Sequence, residues 1–595
     1  MMGIKLIRTF TSVSLRALFA KQSFKKIASA EKRPRNDTGR YSKNRLSVLS
    51  IKALLFLSVG ITFSFVAQPV LANNFAVKNF TVYSTDTSAN RITFSCDLSW
   101  DNSWKTTTNN DAAWVFLKYS TDSGLNWSHA RMSAVGTNPS GFSASANFEI
   151  IVPADAKGFF LQRTDLNTGN VSAKGVRFVW NYGDDGLSDE AAMAANTINK
   201  IFGVEMVYIP AGSFNLGDGN SSSEFRFKQG SADNDPWYVQ SEAAITTTNT
   251  AADGYYYQSS GASGESSSGD TFLLSASFPK GYQAFYMMKY ELTEGQWVSF
   301  FNTLSPEAKL NRDVTSAAQG GKNSDGVVNR NTISWDSTKP RYQATTTRPD
   351  RAMSYLSWPD LLSYSDWAAL RPVTEMEFEK MARGKDVSAV ANELAWGKDS
   401  SSINGALATE ITPNNSDEDG LENIWDGSAN INNNNLSWTT GDGRVGGVAD
   451  GQMGPLRVGI FAEGSTNRVT SGAGYYGNMD LSGNLSEMFV TIGRPQGRQF
   501  LGSHGDGQLS TIVGYEGNAT NIDWPGIDAS DSSRGATGTV GSGYRGGDFK
   551  SANSIAYQIS NRSFASKDPD SLGYAQRNDP TFGIAQGGRL GRSAP

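Results

Sequence analysis

The chain has 595 residues, 38% of them apolar and 19% charged, with 61 glycines. That length has room for two or three domains, and the composition favours short strands and polar loops over a helical bundle. One cysteine and two histidines exclude an internal disulfide and any metal site built on a Cys pair or a His cluster. The net charge of -5 hides an asymmetry, because residues 1–72 carry +11 and the remainder -16. The acidic body offers no basic stripe, so nucleic acid is not an expected partner.

Residues 1–72 read as a leader with a signal peptide. A basic stretch ending Lys43, Arg45, Lys52 precedes an apolar run over 53–67, too short to span a bilayer as a helix. Val70 and Ala72 then supply small residues before a cut at Asn73. An uncut anchor or a transit peptide is the alternative. With no Cys after the run, a bacterial lipoprotein signal is absent. The expectation is an exported protein, secreted, periplasmic or at the cell surface, with no transmembrane span after cleavage.

Residues 73–182 read as an all-β sandwich. In Arg91 to Trp100, Ile92, Phe94, Cys96, Leu98 and Trp100 alternate with polar residues, the period of a half-buried strand. Further strands are expected at Trp114 to Tyr119, Phe148 to Val152, Phe159 to Gln162 and Val176 to Trp180. Ser120 to Trp127 fits Ser-x-Asp-x-Gly-x-x-Trp, read as a turn in which Asp122 caps backbone N–H groups and Trp127 packs below. Residues 183–203 read as a helical connector, and a second domain spans 204–595. Its Ser/Gly/Tyr-rich stretch at 217–275 reads as a surface loop insertion. Thr293 with Gln296 and Thr374 with Glu377 fit capping boxes. A further helix is expected from Ser357 to Ala369.

Seven blocks then occur in order: Met206 to Phe214, Tyr290 to Thr293, Arg371 to Glu379, Ala382 to Gly384, Ala395 to Gly397, Met479 to Glu487 and Arg545 to Gly547. Together they make residues 204–595 resemble the sulfatase-modifying factor family, also called formylglycine-generating-enzyme-like domains. The resemblance implies an α+β C-type-lectin-like fold with little regular secondary structure, often stabilised by calcium. It also implies activity through a copper-holding cysteine pair or histidine-bound iron. Neither donor set is present, since the cysteine pair would fall near Ser554 to Arg562 and only His504 lies in this region; no copper or iron site is expected.

The resemblance implies a calcium site at Asp480, Gly483, Leu485 and Glu487, the acids ligating by side chain and the other two by carbonyl oxygen, as suits a hard cation. A second would use Asn430 and Ile431, but Gly459 stands where a carboxylate is usual. Asp417 to Gly420 reads as an exposed acidic turn. His504 reads as an exposed loop histidine with no nucleophile turn to serve. Glu375, Glu377 and Glu379 fit the helix N-terminus, and Arg545, Arg562, Arg589 and Arg592 are expected to pair with acidic loops, the alternative being that they anchor an anionic ligand. The expected function is noncatalytic binding of a glycan or an envelope or extracellular protein. The alternative is an enzyme of the same family with a cysteine-independent activity.

Overall fold

Alternation makes a two-faced strand of β2 (Arg91–Trp104), whose Ile92, Phe94, Cys96, Leu98 and Trp100 are buried while the residues between them are half-buried. Flanked by β1 (Ala76–Asp86) and β8 (Thr168–Asn181), it forms an antiparallel three-stranded sheet. β3 (Asp111–Ser120) behaves differently, because all ten of its residues are buried, which requires cover on both faces. The computed structural model describes residues 75–220, 224–400, 454–460, 462, 467–551, 554–567 and 583–595, all within the unit Ile61–Pro595. The leader, Asn430, Ile431 and the 417–420 turn lie outside the described residues.

β3 lies inside an eight-stranded sheet with β4 (Ser128–His129), β5 (Gly136–Thr137), β6 (Phe148–Val152), β7 (Phe159–Arg163), β9 (Ile198–Ile209), β14 (Phe285–Met288) and β18 (Gly591–Ser593). The order is β18-β14-β9-β3-β7-β6-β5, with β4 paired to β3. β3 and β9 pair antiparallel from Asp111↔Val207 to Ser120↔Ile198. Residues 75–182 are thus all-β but do not close on themselves, and the expected boundary at Val204 falls inside β9. The connector differs from expectation for the same reason. Its helix is the single turn α1 (Asp189–Ala192), capped by Ser188, and the chain is already extended from Ile198.

The period of two sorts this sheet's side chains between two cores. Ala113, Val115 and Leu117 face the three-stranded sheet. Trp114 and Phe116 face the opposite side, where they join Trp297, Phe300, Trp358 and Leu361 of α2 (Glu294–Phe301) and α4 (Trp358–Trp367). Capping boxes at Thr293, Ser357 and Thr374 start α2, α4 and α5 (Glu375–Arg383), and α3 (Pro306–Arg312) starts at Ser305. Residues 217–275 are not a surface loop throughout. They contain β11 (Trp237–Val239), paired with β10 (Phe214–Leu216), and β12 (Ile245–Thr246), paired with β13 (Leu273–Leu274). Phe227, Trp237 and Tyr257 of this segment are buried in the helix-side core. A small sheet, β15 (Ser486–Val490) between β16 (Ser542–Arg545) and β17 (Gln586–Gly587), completes the described strands.

Candidate functional site

The first turns of α5 do more than complement a helix dipole. Glu375 accepts from Arg545 Nη1 at 2.9 Å, Arg562 Nε at 2.8 Å and Nη2 at 3.2 Å, Thr491 Oγ1 at 3.0 Å and Ile492 N at 2.9 Å. Glu379 pairs with Arg545 at 2.6 Å and Arg383 at 3.1 Å. Glu377 closes the capping box and holds Arg371 through two bonds of 2.9 and 2.6 Å. Burial pushes the Glu375 carboxyl up, but Arg562 and Arg545 outweigh it and hold the group below the usual range. Arg589 forks onto Glu487 at 2.6 Å twice, and Arg592 bonds Asp155. All four arginines read from the sequence as paired are paired.

Asp480, Gly483 and Asn484 adopt positive φ, bending the 479–487 segment so that its acids turn inward. Asp480 Oδ2 accepts from Gly459 N at 2.8 Å, which brings together the two segments the sequence reading tied to calcium. Glu291, which that reading did not single out, joins them. Its carboxylate accepts from Leu485 N at 3.0 Å and from the Asn484 amide. Burial, and then repulsion from Asp480 and Glu487, drive the Glu291 carboxyl well above its ordinary value. Asp480 and Glu487 are also raised by burial. Arg589 bonds Glu487, and Arg457 also acts on Asp480, so two guanidiniums face the three carboxylates among the described residues. Among the described residues no three Asp, Glu, His or Cys side chains converge as a metal cluster. A cation here would draw on Asp480 and Glu487 with backbone oxygens, donors of the kind calcium takes, and would have to compete with Arg589 for both Glu487 oxygens.

The segment where the cysteine pair would fall holds no redox group. Ser554–Tyr557 forms a short 3-10 turn, and the Tyr557 hydroxyl donates to Ser551 O at 2.8 Å and Asp548 O at 3.1 Å. The adjoining hollow, lined by Ser486, Asp548, Ser551 and Asn561, has a volume of about 30 Å³, far smaller than a ligand pocket of several hundred Å³. Ser486 Oγ donates to Asp548 at 2.9 Å.

A cleft of about 960 Å³ opens instead at one end of the eight-stranded sheet. Tyr208 N bonds Asn110 O at 2.8 Å, Tyr208 faces Tyr286 across β9 and β14, and Gln162 faces Ala112 across β7 and β3. These pairings gather Asn110, Gln162, Tyr208 and Tyr286 from four distant stretches of chain. Tyr286 stacks on Phe160 with centroids 4.0 Å apart and leans on half-buried Tyr208 at 5.3 Å. Its hydroxyl donates to Gln162 Oε1 at 2.9 Å, which also accepts from Asn110 Nδ2 at 3.0 Å. Arg371, Glu377 and Glu242 line the wall. No spacing in the sequence marks these residues, because their proximity is created by strand pairing alone.

The remaining sequence candidates resolve simply. Asp122 accepts from Leu125 N and Asn126 N at 3.0 and 2.9 Å, and Trp127 Nε1 donates to Gly124 O at 3.1 Å, so this motif is a turn. His504 is part-buried, not merely exposed, and its Nε2 accepts from Ser593 N at 3.0 Å. Burial, then Arg592 and Arg371, depress its pKa well below the usual value.

Fold and site define a sheet-centred α+β scaffold whose loops are tied by buried arginine–carboxylate pairs beside an open cleft. The model of the Sulfatase-modifying factor enzyme 1-like domain matches residues 194–573, more than half of the chain, and the protein belongs to that family. No curated protein matches it.

Proposed function

We propose that this protein is an exported, noncatalytic member of the family that binds a glycan in the 960 Å³ cleft, on a lectin-like scaffold stabilised by calcium. One observation carries the reading: a substrate-sized cleft lined by the tilted ring pair of Tyr208 and Tyr286 and by the amides of Asn110 and Gln162 lies apart from the segment where the family's cysteines would stand. Aromatic faces with amide and hydroxyl donors suit sugar rings, which present C–H faces and hydroxyl edges. The cysteine segment itself offers only serine, tyrosine and closed ion pairs, which supports a binding role over redox chemistry. Glycan-array binding tests it. The intact protein retains a defined set of glycans, and Tyr208→Ala loses them; an array with no retained glycan rejects the reading.

Calcium belongs to the same proposal. Asp480 and Glu487 would hold it with the Gly483 and Leu485 carbonyls, and the ion would supply positive charge to a cluster of three carboxylates. A thermal transition that rises with Ca2+, and no longer rises in Asp480→Ala with Glu487→Ala, supports the site. No shift in the parent protein rejects it.

A further inference from the structure

We propose that Lys289 and Asp111 condense into an isopeptide bond, a covalent staple that the chain forms on itself with Glu205 as the proton carrier. The sheet register brings the three side chains together. β3 pairs with β9 through Asp111↔Val207 and Ala113↔Glu205, so Asp111 and Glu205 are diagonal neighbours on one face. Lys289 follows β14, and its backbone N donates to Glu205 O at 3.0 Å. All three residues are buried, with exposures of 0% for Asp111, 2% for Glu205 and 3% for Lys289. Lys289 Nζ donates to Glu205 Oε2 at 3.2 Å and to Asn102 O at 3.3 Å, and it stands 3.8 Å from Asp111 Oδ2. The rings of Trp104 and Tyr290 lie against the same nitrogen at 5.0 and 5.4 Å.

Three donors fix the Asp111 carboxyl beside that nitrogen. Oδ1 accepts from Ser103 Oγ at 2.7 Å and Trp104 N at 3.1 Å, and Oδ2 accepts from Trp100 Nε1 at 2.9 Å. Donors held in place in this way stabilise the oxyanion that forms when an amine adds to an acyl carbon, and the fixed contact replaces a chance encounter. Burial pushes the Asp111 carboxyl up. Burial pulls Lys289 down, but its interactions with Tyr290, Glu205 and Asp111 outweigh that and raise it, so the unreacted state is an ammonium between two carboxylates. Glu205 first takes one proton from Nζ. The freed lone pair then forms the C–N bond to Asp111 Cγ, and Oδ1 takes the negative charge. As that charge returns, the bond from Cγ to Oδ2 breaks. Oδ2 departs as water, carrying the proton held by Glu205 and a second that Glu205 relays from the nitrogen. One ammonium and one carboxylate thus give one amide and one water, Glu205 ends as it began, and nothing is oxidised or reduced.

The product replaces a buried ion pair, whose desolvation offsets much of its attraction, with a neutral amide. It also ties position 111 to position 289 in a chain whose one cysteine allows no internal disulfide, and it restricts the unfolded chain as a disulfide would.

Peptide mapping by tandem mass spectrometry, on the full chain denatured and digested with protease, tests this. The expected result is a branched peptide joining Lys289 to Asp111, lighter by one water than the sum of its two parts, with loss of the linear peptides that contain either residue. Glu205→Gln, which keeps the size and removes the proton carrier, is expected to yield the linear peptides only. The map of the parent needs no altered protein, so misfolding of the variant leaves the test intact. Linear peptides alone in the parent overturn the bond. A branch from Lys289 to Glu205 overturns Asp111 as the acyl partner, and an undiminished branch in Glu205→Gln overturns Glu205 as the proton carrier.

Discussion

Removing the Glu375 carboxylate should be among the most damaging single changes in the protein. It accepts five hydrogen bonds, three of them from Arg545 and Arg562, and both guanidiniums are fully buried. In Glu375→Ala, Arg545 retains Glu379 and Ile559 O, whereas Arg562 retains neutral hydrogen-bond partners, Phe225 O, Gln258 O and Tyr257, with Phe227 and Tyr257 beneath it and Glu265 as its remaining carboxylate at longer range. Breaking a buried pair while leaving its cation in place costs about 3–5 kcal/mol. The folded pKa of Glu375 lies below its ordinary value, so its contribution is present above the unfolded pKa, about 4.3, and is lost as pH falls below it. Urea unfolding followed by tryptophan fluorescence at neutral and acid pH reads both effects. Glu375→Ala should fall short of the parent by about 3–5 kcal/mol at pH 7, with the gap narrowing toward pH 3. A neutral-pH loss below about 1 kcal/mol, the range of a solvated surface pair, would refute the hub.

Two further changes probe other parts of the fold. A Cβ on Gly203 would stand 2.2 Å from Phe75 Cζ, so Gly203→Ala should cost about 1–3 kcal/mol by overpacking, partly recovered with Phe75→Leu in the same urea assay. Burial, and then Asp506, push Asp366 up to about 7. The folded state therefore holds its proton where the unfolded chain releases it, and stability conferred through this residue falls as pH rises from about 4 to about 7. Asp366→Asn should flatten that slope in urea midpoints measured across the range, and an unchanged slope would reject the assignment.

Local chemistry made parts of the fold legible in the sequence. The capping hydroxyls of Thr293, Ser357 and Thr374 act within three residues of themselves, so α2, α4 and α5 begin where those residues place them. Alternation in β2 is equally local. β3 gave no comparable clue to its partner, because a run buried on both faces has no period, and β9 lies about eighty residues away in the chain. That pairing turns the anticipated domain boundary into the middle of a sheet. The insertion misled for a compositional reason, since a few aromatics, Phe227, Trp237 and Tyr257, anchor a stretch that is otherwise polar.

The candidate site divides along the same line. Asp480 and Glu487 stood out through a motif, and the fold sets both against Glu291, brought in from 189 and 196 positions away by numbering. Glu375 and Glu379 looked like ordinary first-turn acids because their arginines arrive from more than 160 residues downstream. Asn110, Gln162, Tyr208 and Tyr286 were unmarked, since only the sheet register makes them one surface.

The central claim is that the family frame persists here without its redox chemistry. Mass spectrometry of a sulfatase-type cysteine peptide, incubated with the purified protein and copper under air, tests it most directly. The account predicts that every peptide keeps its thiol, and appearance of the aldehyde product at a rate above the protein-free control would contradict it.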